Sequence, residues 1–285
     1  MFPLVLAAGL LYTHTSSAQK VVEPKAMSDE WSKPYEPFRI AGNLYYVGTY
    51  DLACYLVTTP QGNILINTGL AASTGIIRSN IEKLGFRFAD TKILLTTQVH
   101  YDHVGAMAEI KKLTGAKLMV DEKDAAVMQD GGTSDYYFGG DHAVFKPAKV
   151  DRLLRDHDTV ALGGSKLVLL HHPGHTKGSC SFLLDARDGA RTYRILIANM
   201  PSIIIDGKFS EVKSYPGMAA DYKRTLQQMK AVSFDLWVAS HASQFDLHTK
   251  RKAGDNYNPA VFADKAAYQS KLRDLQQSFD KKMKE

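Results

Sequence analysis

The order of strand-like and helix-like segments predicts an α+β fold in which two β-sheets pack face to face, with helices outside each. Three observations carry that expectation. Short β-rich runs are followed by amphipathic helical runs, and the same order begins again in the second half of the chain, with no repeat of the sequence itself. The 285 residues exceed the commonest domain length, but layered folds of this kind reach such a size as one unit. Hydrophobic residues at 45% and charged residues at 23% match ordinary globular usage, which argues against a disordered or fibrous chain.

Taken in order, the N-terminus reads FPLVLAAGLLY and then THTSSAQ, an apolar run too short to span a bilayer followed by small residues around a cleavage point after Ala18. Residues 1–18 are expected to be a secretory signal peptide, one that lacks a basic n-region, and residues 19–285 a single domain exported to the periplasm. A polar lead-in runs to Pro37. The stretch FRIAGNLYYVGTYDLACYLVTTPQGNILINTG then breaks into short β-rich runs at Gly-Asn and Pro-Gln-Gly turns, which predicts an antiparallel meander. Ile76, Ile77, Ile81 and Leu84 recur at helical spacing until Gly85 stops them. KILLTT, Lys92 to Thr97, reads as a buried strand ending near Gln98, and VGAMAEIKKLTG as a helix from about Val104 to Gly115. AKLMVD and DEKDAAVMQDGG repeat the alternation of strand and helix.

In the second half TVALGGSKLVLLHH reads as a hairpin, GSCSFLL and YRILIANM as strands, Tyr222 to Val232 as a helix and FDLWVASH as a last strand. Asn258 and Pro259 open a C-terminal helix with Phe262, Tyr268, Leu272, Leu275 and Phe279 along one stripe. The net charge of +5 is spread out, with no basic run beyond Lys250, Arg251 and Lys252, so it reads as a solvated surface and not a nucleic-acid footprint. No later segment is apolar for long enough to cross a membrane, and no long exposed apolar stripe argues against a monomer. Cys54 and Cys180 could pair in an oxidising compartment, though two buried free thiols is the simpler reading.

Metal chemistry is concentrated in TTQVHYDHVGA, where His100, Asp102 and His103 crowd into four positions between a strand and a helix. Imidazoles with a carboxylate suit zinc best. In strand geometry Gln98 would share a side with His100, so an amide stands where a third imidazole is expected. A second strand ends in HHPGH. His175 follows its tight turn and is the candidate ligand, while His171 and His172 read as structural. A third strand ends at His241; His248, seven residues on, reads as a packing residue. The Gly-rich, aromatic segment Met128 to His142 reads equally as a flexible wall over a site or as a plain surface loop.

These segments together resemble the metallo-β-lactamase superfamily, whose H-x-H-x-D-H motif here reads Gln98, Val99, His100, Tyr101, Asp102, His103. The runs NLYYVGTYDLACYLV, HHPGHTKGSCSF and WVASHASQFDLH are similar to the third subclass of class B, and the glutamine to its GOB-type branch. The resemblance implies the αββα sandwich. It implies one zinc site at Gln98, His100 and His175 and another at Asp102, His103 and His241, with Asp102 catalytic and Ser202 holding the substrate carboxylate. Because a neutral amide binds zinc less strongly than imidazole, the second site is expected to hold zinc tightly and the first weakly.

The chemistry so implied is hydrolysis of the β-lactam amide of penicillins, cephalosporins and carbapenems, hence antibiotic resistance, with zinc lowering the pKa of bound water towards ~7 so that hydroxide attacks. No Ser-x-x-Lys or Gly-x-Ser-x-Gly motif supports covalent catalysis instead. Two alternatives stand beside it. A thioesterase or lactonase similar to glyoxalase II would place a bridging aspartate where Met200 ends YRILIANM, and a non-catalytic metal-binding module would follow from loss of ligands.

Overall fold

The computed structural model describes residues 20–285; the expected signal peptide, 1–18, lies outside them. The first half of the chain contains β1 (Phe38–Ala41), β2 (Leu44–Tyr46), β3 (Tyr55–Thr59), β4 (Gly62–Ile66), α1 (Thr74–Lys83), β5 (Thr91–Leu95), α2 (Tyr101–Val104) and α3 (Met107–Thr114). It closes with β6 (Lys117–Asp121), α4 (Ala125–Asp130) and β7 (Arg152–Leu154). The second half follows with β8 (Thr159–Leu162), β9 (Ser165–His171), β10 (Cys180–Asp188), β11 (Arg191–Ala198), α5 (Met218–Ala231), β12 (Leu236–Ala239), α6 (Leu247–Lys250) and α7 (Lys265–Lys282). Strands β1 to β7 form a seven-stranded sheet in chain order, and a five-stranded sheet runs β12-β11-β10-β9-β8. Pairing is antiparallel through β1 to β4, as the turn chemistry predicts, then parallel from β4 to β7; in the second sheet only β11 and β12 are parallel.

The two-residue period of a strand sorts side chains between layers. Tyr55, Val57, Ile64, Ile66, Ile93 and Leu95 face the core between the sheets, where they meet Leu167, Phe182, Ile195 and Trp237. The alternate residues Leu56, Leu65 and Leu94 join Ile77, Ile81, Val104 and Ile110 in a second core under α1 and α3. Tyr222 and Leu226 of α5 pack with Phe279 of α7 on the far side of the second sheet. The outcome is helices, sheet, sheet, helices.

Several boundaries differ from the sequence reading, among them the start of α5, which lies at Met218 and not at Tyr222. Strand β5 stops at Leu95, because the hydroxyls of Thr96 and Thr97 and the backbone N–H of Thr97 turn to the Asn67 carboxamide. Helix begins at Tyr101 and not near Val104, since the N–H groups of His103 and Val104 both donate to the His100 carbonyl; Asp102 and His103 thus stand on a helical turn and not on a loop. At the C-terminus Asn258 caps only a short turn, Pro259–Phe262, and α7 has its own cap in Asp264, whose carboxylate accepts from Ala267 N. The short β7 escaped notice because RLL is too brief to show a period. Cys54 and Cys180 are both buried free thiols.

Phe182 sits at the centre of β10, fully buried between the sheets. Phe182→Ala is expected to lower stability by about 3–5 kcal/mol, read as a fall in the urea midpoint at unchanged slope. A loss of less than about 1 kcal/mol would mean that the sheets close over the cavity.

Candidate metal centre

The ends of strands from both sheets meet at one rim of the sandwich. Gln98 and His100 follow β5, His175 follows β9, Met200 and Ser202 follow β11, and His241 follows β12. A seam of hydrogen bonds ties these ends together: Cys180 N donates to the Thr97 carbonyl at 2.8 Å, Ala53 N to the Ser240 carbonyl at 3.1 Å, and the Thr97 and Ser240 hydroxyls are 2.9 Å apart. Asn67, held at φ 61°, bridges the strands behind it, and Thr68 N donates to the His103 carbonyl at 2.7 Å. His175 depends on the Pro173-Gly174 turn. Gly174 has φ 134°, and a Cβ there would sit 2.8 Å from the Tyr222 ring, so only glycine fits.

Six of the seven residues singled out from the sequence, Gln98, His100, Asp102, His175, Ser202 and His241, line one cavity of about 80 Å³. His103 stands just behind, its Nε2 3.0 Å from Asp102 Oδ2. The candidate ligand atoms of Asp102, His103 and His241 all lie within 4.8 Å of one another, close enough for one ion. The rings of His100 and His175 are 4.9 Å apart across the cavity. Buried atoms without hydrogen-bond partners point the same way: Gln98 Oε1, His100 Nε2 and His103 Nε2 make no hydrogen bond, the two imidazoles only facing carboxylates at 3.4 and 3.0 Å, which is costly unless something binds there. Two lone-pair donors and a carboxylate around shared space fit a zinc ion. Wider grooves lie elsewhere, of about 660 Å³ beside Pro60 and about 470 Å³ between α5 and α7, but neither gathers imidazoles.

Residues that the sequence reading passed over fix the imidazoles. His241 Nδ1 donates to Asp51 Oδ2 at 3.0 Å, leaving Nε2 3.4 Å from Asp102. The same Asp51 carboxylate accepts from Trp31 Nε1 and Ser243 N. His175 Nδ1 donates to the Ser202 carbonyl at 2.7 Å. Asp135 Oδ2 lies 3.4 Å from His100 Nε2. Asp124 braces two loops at once, accepting from Val99 N, Thr176 Oγ1 and Gly178 N. Such a group is invisible in a sequence, because Asp in a surface-like segment such as DEKD gives no sign of burial. His171 is paired with Asp121 at 2.8 Å, His172 with Ser181 at 2.8 Å, and His248 stacks on Tyr50, so these three play the structural parts expected of them.

The electrostatics of the two halves differ. Burial opposes ionisation of Asp102, yet His103 and His241 outweigh it and hold the carboxyl well below its usual range. Burial also works against a charged His241, but the hydrogen bonds and charges of Asp102 and Asp51 push it up to about 9. His175 has no carboxylate partner; burial and the neighbouring His100 push it down to about 3, so it is a free base. Trp31, Met27, Phe138, Met200 and Ile204 complete apolar walls.

The profile described as the metallo-beta-lactamase superfamily matches residues 48–190. The crystal structure of a class B3 di-zinc metallo-β-lactamase, LRA-12 from an Alaskan soil metagenome, is 66% identical and superposes with a TM-score of 0.91 over 92% of this chain and 100% of that one. The metallo-β-lactamase GOB-18 from Elizabethkingia meningoseptica is 58% identical, with a TM-score of 0.93 over 94% of this chain and 99% of that one. Among curated proteins, a probable metallo-hydrolase of Burkholderia pseudomallei is 30% identical over 126 residues, 42% of this chain and 41% of its own length.

Because His241 carries a proton up to about pH 9 in the metal-free protein, an ion taking its Nε2 must displace that proton. The elevated value stabilises the metal-free fold fully below the ordinary histidine pKa of ~6.5, and that contribution is lost as pH rises through about 9. Zinc titration of the metal-free protein at pH 7, in buffers of different ionisation enthalpy, should show release of about one proton assignable to His241, with affinity rising with pH and levelling above about 9. In Asp51→Asn the release should shrink; an unchanged release would dissociate it from this pair.

Proposed function

As this chain belongs to the metallo-β-lactamase superfamily, and within it to class B3, we infer that it is a zinc-dependent hydrolase that opens the amide bond of β-lactams. The observation that carries the reading is the convergence of Asp102, His103 and His241 on one point beside Gln98, His100 and His175. We assign zinc to the first three residues as the tighter site and to Gln98, His100 and His175 as the weaker one, because three neutral donors, one of them an amide, attract a dication less than a set containing a carboxylate. The substrate set proposed is penicillins, cephalosporins and carbapenems, met in the periplasm.

When bound, zinc supplies a Lewis acid and makes a water-derived nucleophile available near neutral pH. The protein's own residues do the rest. Asp102, ionised and buried, orients the attacking water, takes its proton at a carboxylate oxygen and returns it to the lactam nitrogen as the C–N bond breaks and the new C–O bond forms. The Ser202 hydroxyl, 3.3 Å from His175 Nδ1, receives the substrate carboxylate, while the Ser202 carbonyl accepts from His175 and from the Tyr222 hydroxyl. Trp31 and Phe138 line the cavity with apolar surface that keeps water from the reacting bond. At the end of β11, where a thioesterase of this superfold would carry a bridging aspartate, Met200 offers only a buried thioether. This speaks for the lactam.

Two experiments test the reading. Asp102→Asn should lower kcat by a factor of ~100 or more, whereas Gln98→Ala should be milder and Gln98→His should raise zinc content. Equal damage from the two losses would refute the ranking of the sites. With a chromogenic cephalosporin, dipicolinate or EDTA should abolish turnover, added zinc should restore it, and clavulanate should have no effect. Clavulanate-sensitive, chelator-resistant hydrolysis would overturn the metal mechanism.

A further inference from the structure

The segment from Gly131 to His142 touches the site through three nearby residues. The Phe138 ring meets His100 edge-on at 5.0 Å, the Tyr136 hydroxyl donates to the His175 carbonyl at 2.7 Å, and the Asp135 carboxylate lies 3.4 Å from His100 Nε2. Asp135 uses its oxygens for different tasks. Oδ1 accepts from the backbone N–H groups of Tyr137 and Phe138, at 2.9 and 2.8 Å, which fixes the turn, while Oδ2 is the oxygen turned to the imidazole. The carboxylate is only 5% exposed, so its charge acts across a poorly screened path. Neither Gln98 nor His175 has a carboxylate at hydrogen-bonding distance: His175 is held by a carbonyl, and Gln98 Oε1 has no partner at all.

We propose that Asp135 is a positioning residue for the half of the centre that Gln98 weakens: its buried carboxylate, 3.4 Å from His100 Nε2, orients that imidazole and supplies the negative charge that Gln98, His100 and His175 lack. A carboxylate behind a ligating imidazole raises its basicity and orients its ring. His241 has such a partner in Asp51. Asp135 gives His100 the same support from a separate part of the chain, so the wall over the cavity and the occupancy of the weaker site become one property. The inference rests on the assignment of Gln98, His100 and His175 as a metal site.

Zinc affinities are to be measured by competition with a fluorescent chelator for the parent protein, Asp135→Asn and Tyr136→Phe, alongside the visible spectrum of the cobalt-loaded forms. Asp135→Asn keeps an oxygen for the turn and removes only the charge, so the second equivalent should bind ~10–100-fold more weakly while the first stays within ~3-fold, which also reports that the variant is folded. Tyr136→Phe, which loosens the segment without touching the carboxylate, should leave both equivalents within ~3-fold. A second equivalent that binds Asp135→Asn as it binds the parent, or an equal loss from Tyr136→Phe, would overturn the role of the charge. A parent that never takes a second equivalent would instead refute the site itself, and the parent titration alone reads that outcome.

Discussion

The rim depends on a buried polar seam where the strand ends of the two facing sheets meet. Thr97 is its centre: its N–H is taken by Asn67 Oδ1 at 2.9 Å, its carbonyl by Cys180 N at 2.8 Å, and its hydroxyl lies 2.9 Å from that of Ser240. Each of these groups left unpaired in the interior would cost about 1–3 kcal/mol, so the strand ends cannot slide past one another. Apolar packing between the sheets has no such directionality. The seam therefore sets the register that places Gln98 one residue beyond Thr97, and His241 one residue beyond Ser240.

From that frame two unlike half-sites arise. Asp102, His103 and His241 share a carboxylate that belongs to the cluster, and Asp51 adds a second behind His241, itself pinned by Trp31 and Ser243. Gln98, His100 and His175 carry no charge of their own in the same sense; their support is the Ser202 carbonyl and the carboxylate of Asp135. The difference in donor chemistry, not in distance, separates the affinities expected of the two. Asp124 ties together the half that holds Gln98 and His175. Its oxygens hold Val99 beside Gln98 and Thr176 beside His175, and Gly178 has no room for a Cβ against it.

The layering was legible from the order of elements, β-rich runs followed by helical runs twice over, and the antiparallel meander from its turns; which face of CYLV, NILI and KILL meets the second sheet and which the helices shows only in the fold, since these runs are apolar on both faces. The side chains that converge on the cavity were legible because imidazoles and a carboxylate crowded at strand ends are chemically conspicuous. Boundaries read less well. Asp102 and His103 belong to a helical turn because two backbone N–H groups choose the His100 carbonyl, a choice made by neighbours and not by propensity.

By itself, then, the sequence determined the order of the layers, the candidate ligand types and the glutamine that stands among them, since all three follow from the identity and local spacing of side chains. Tertiary structure decided which carboxylates serve the imidazoles. Asp51 and His241 are separated by 190 positions in the chain and Asp135 from His100 by 35, and a pairing of that kind has no local signature. An aspartate reads as a surface residue until the fold removes water from it, and only then do burial and a facing imidazole make it part of the site.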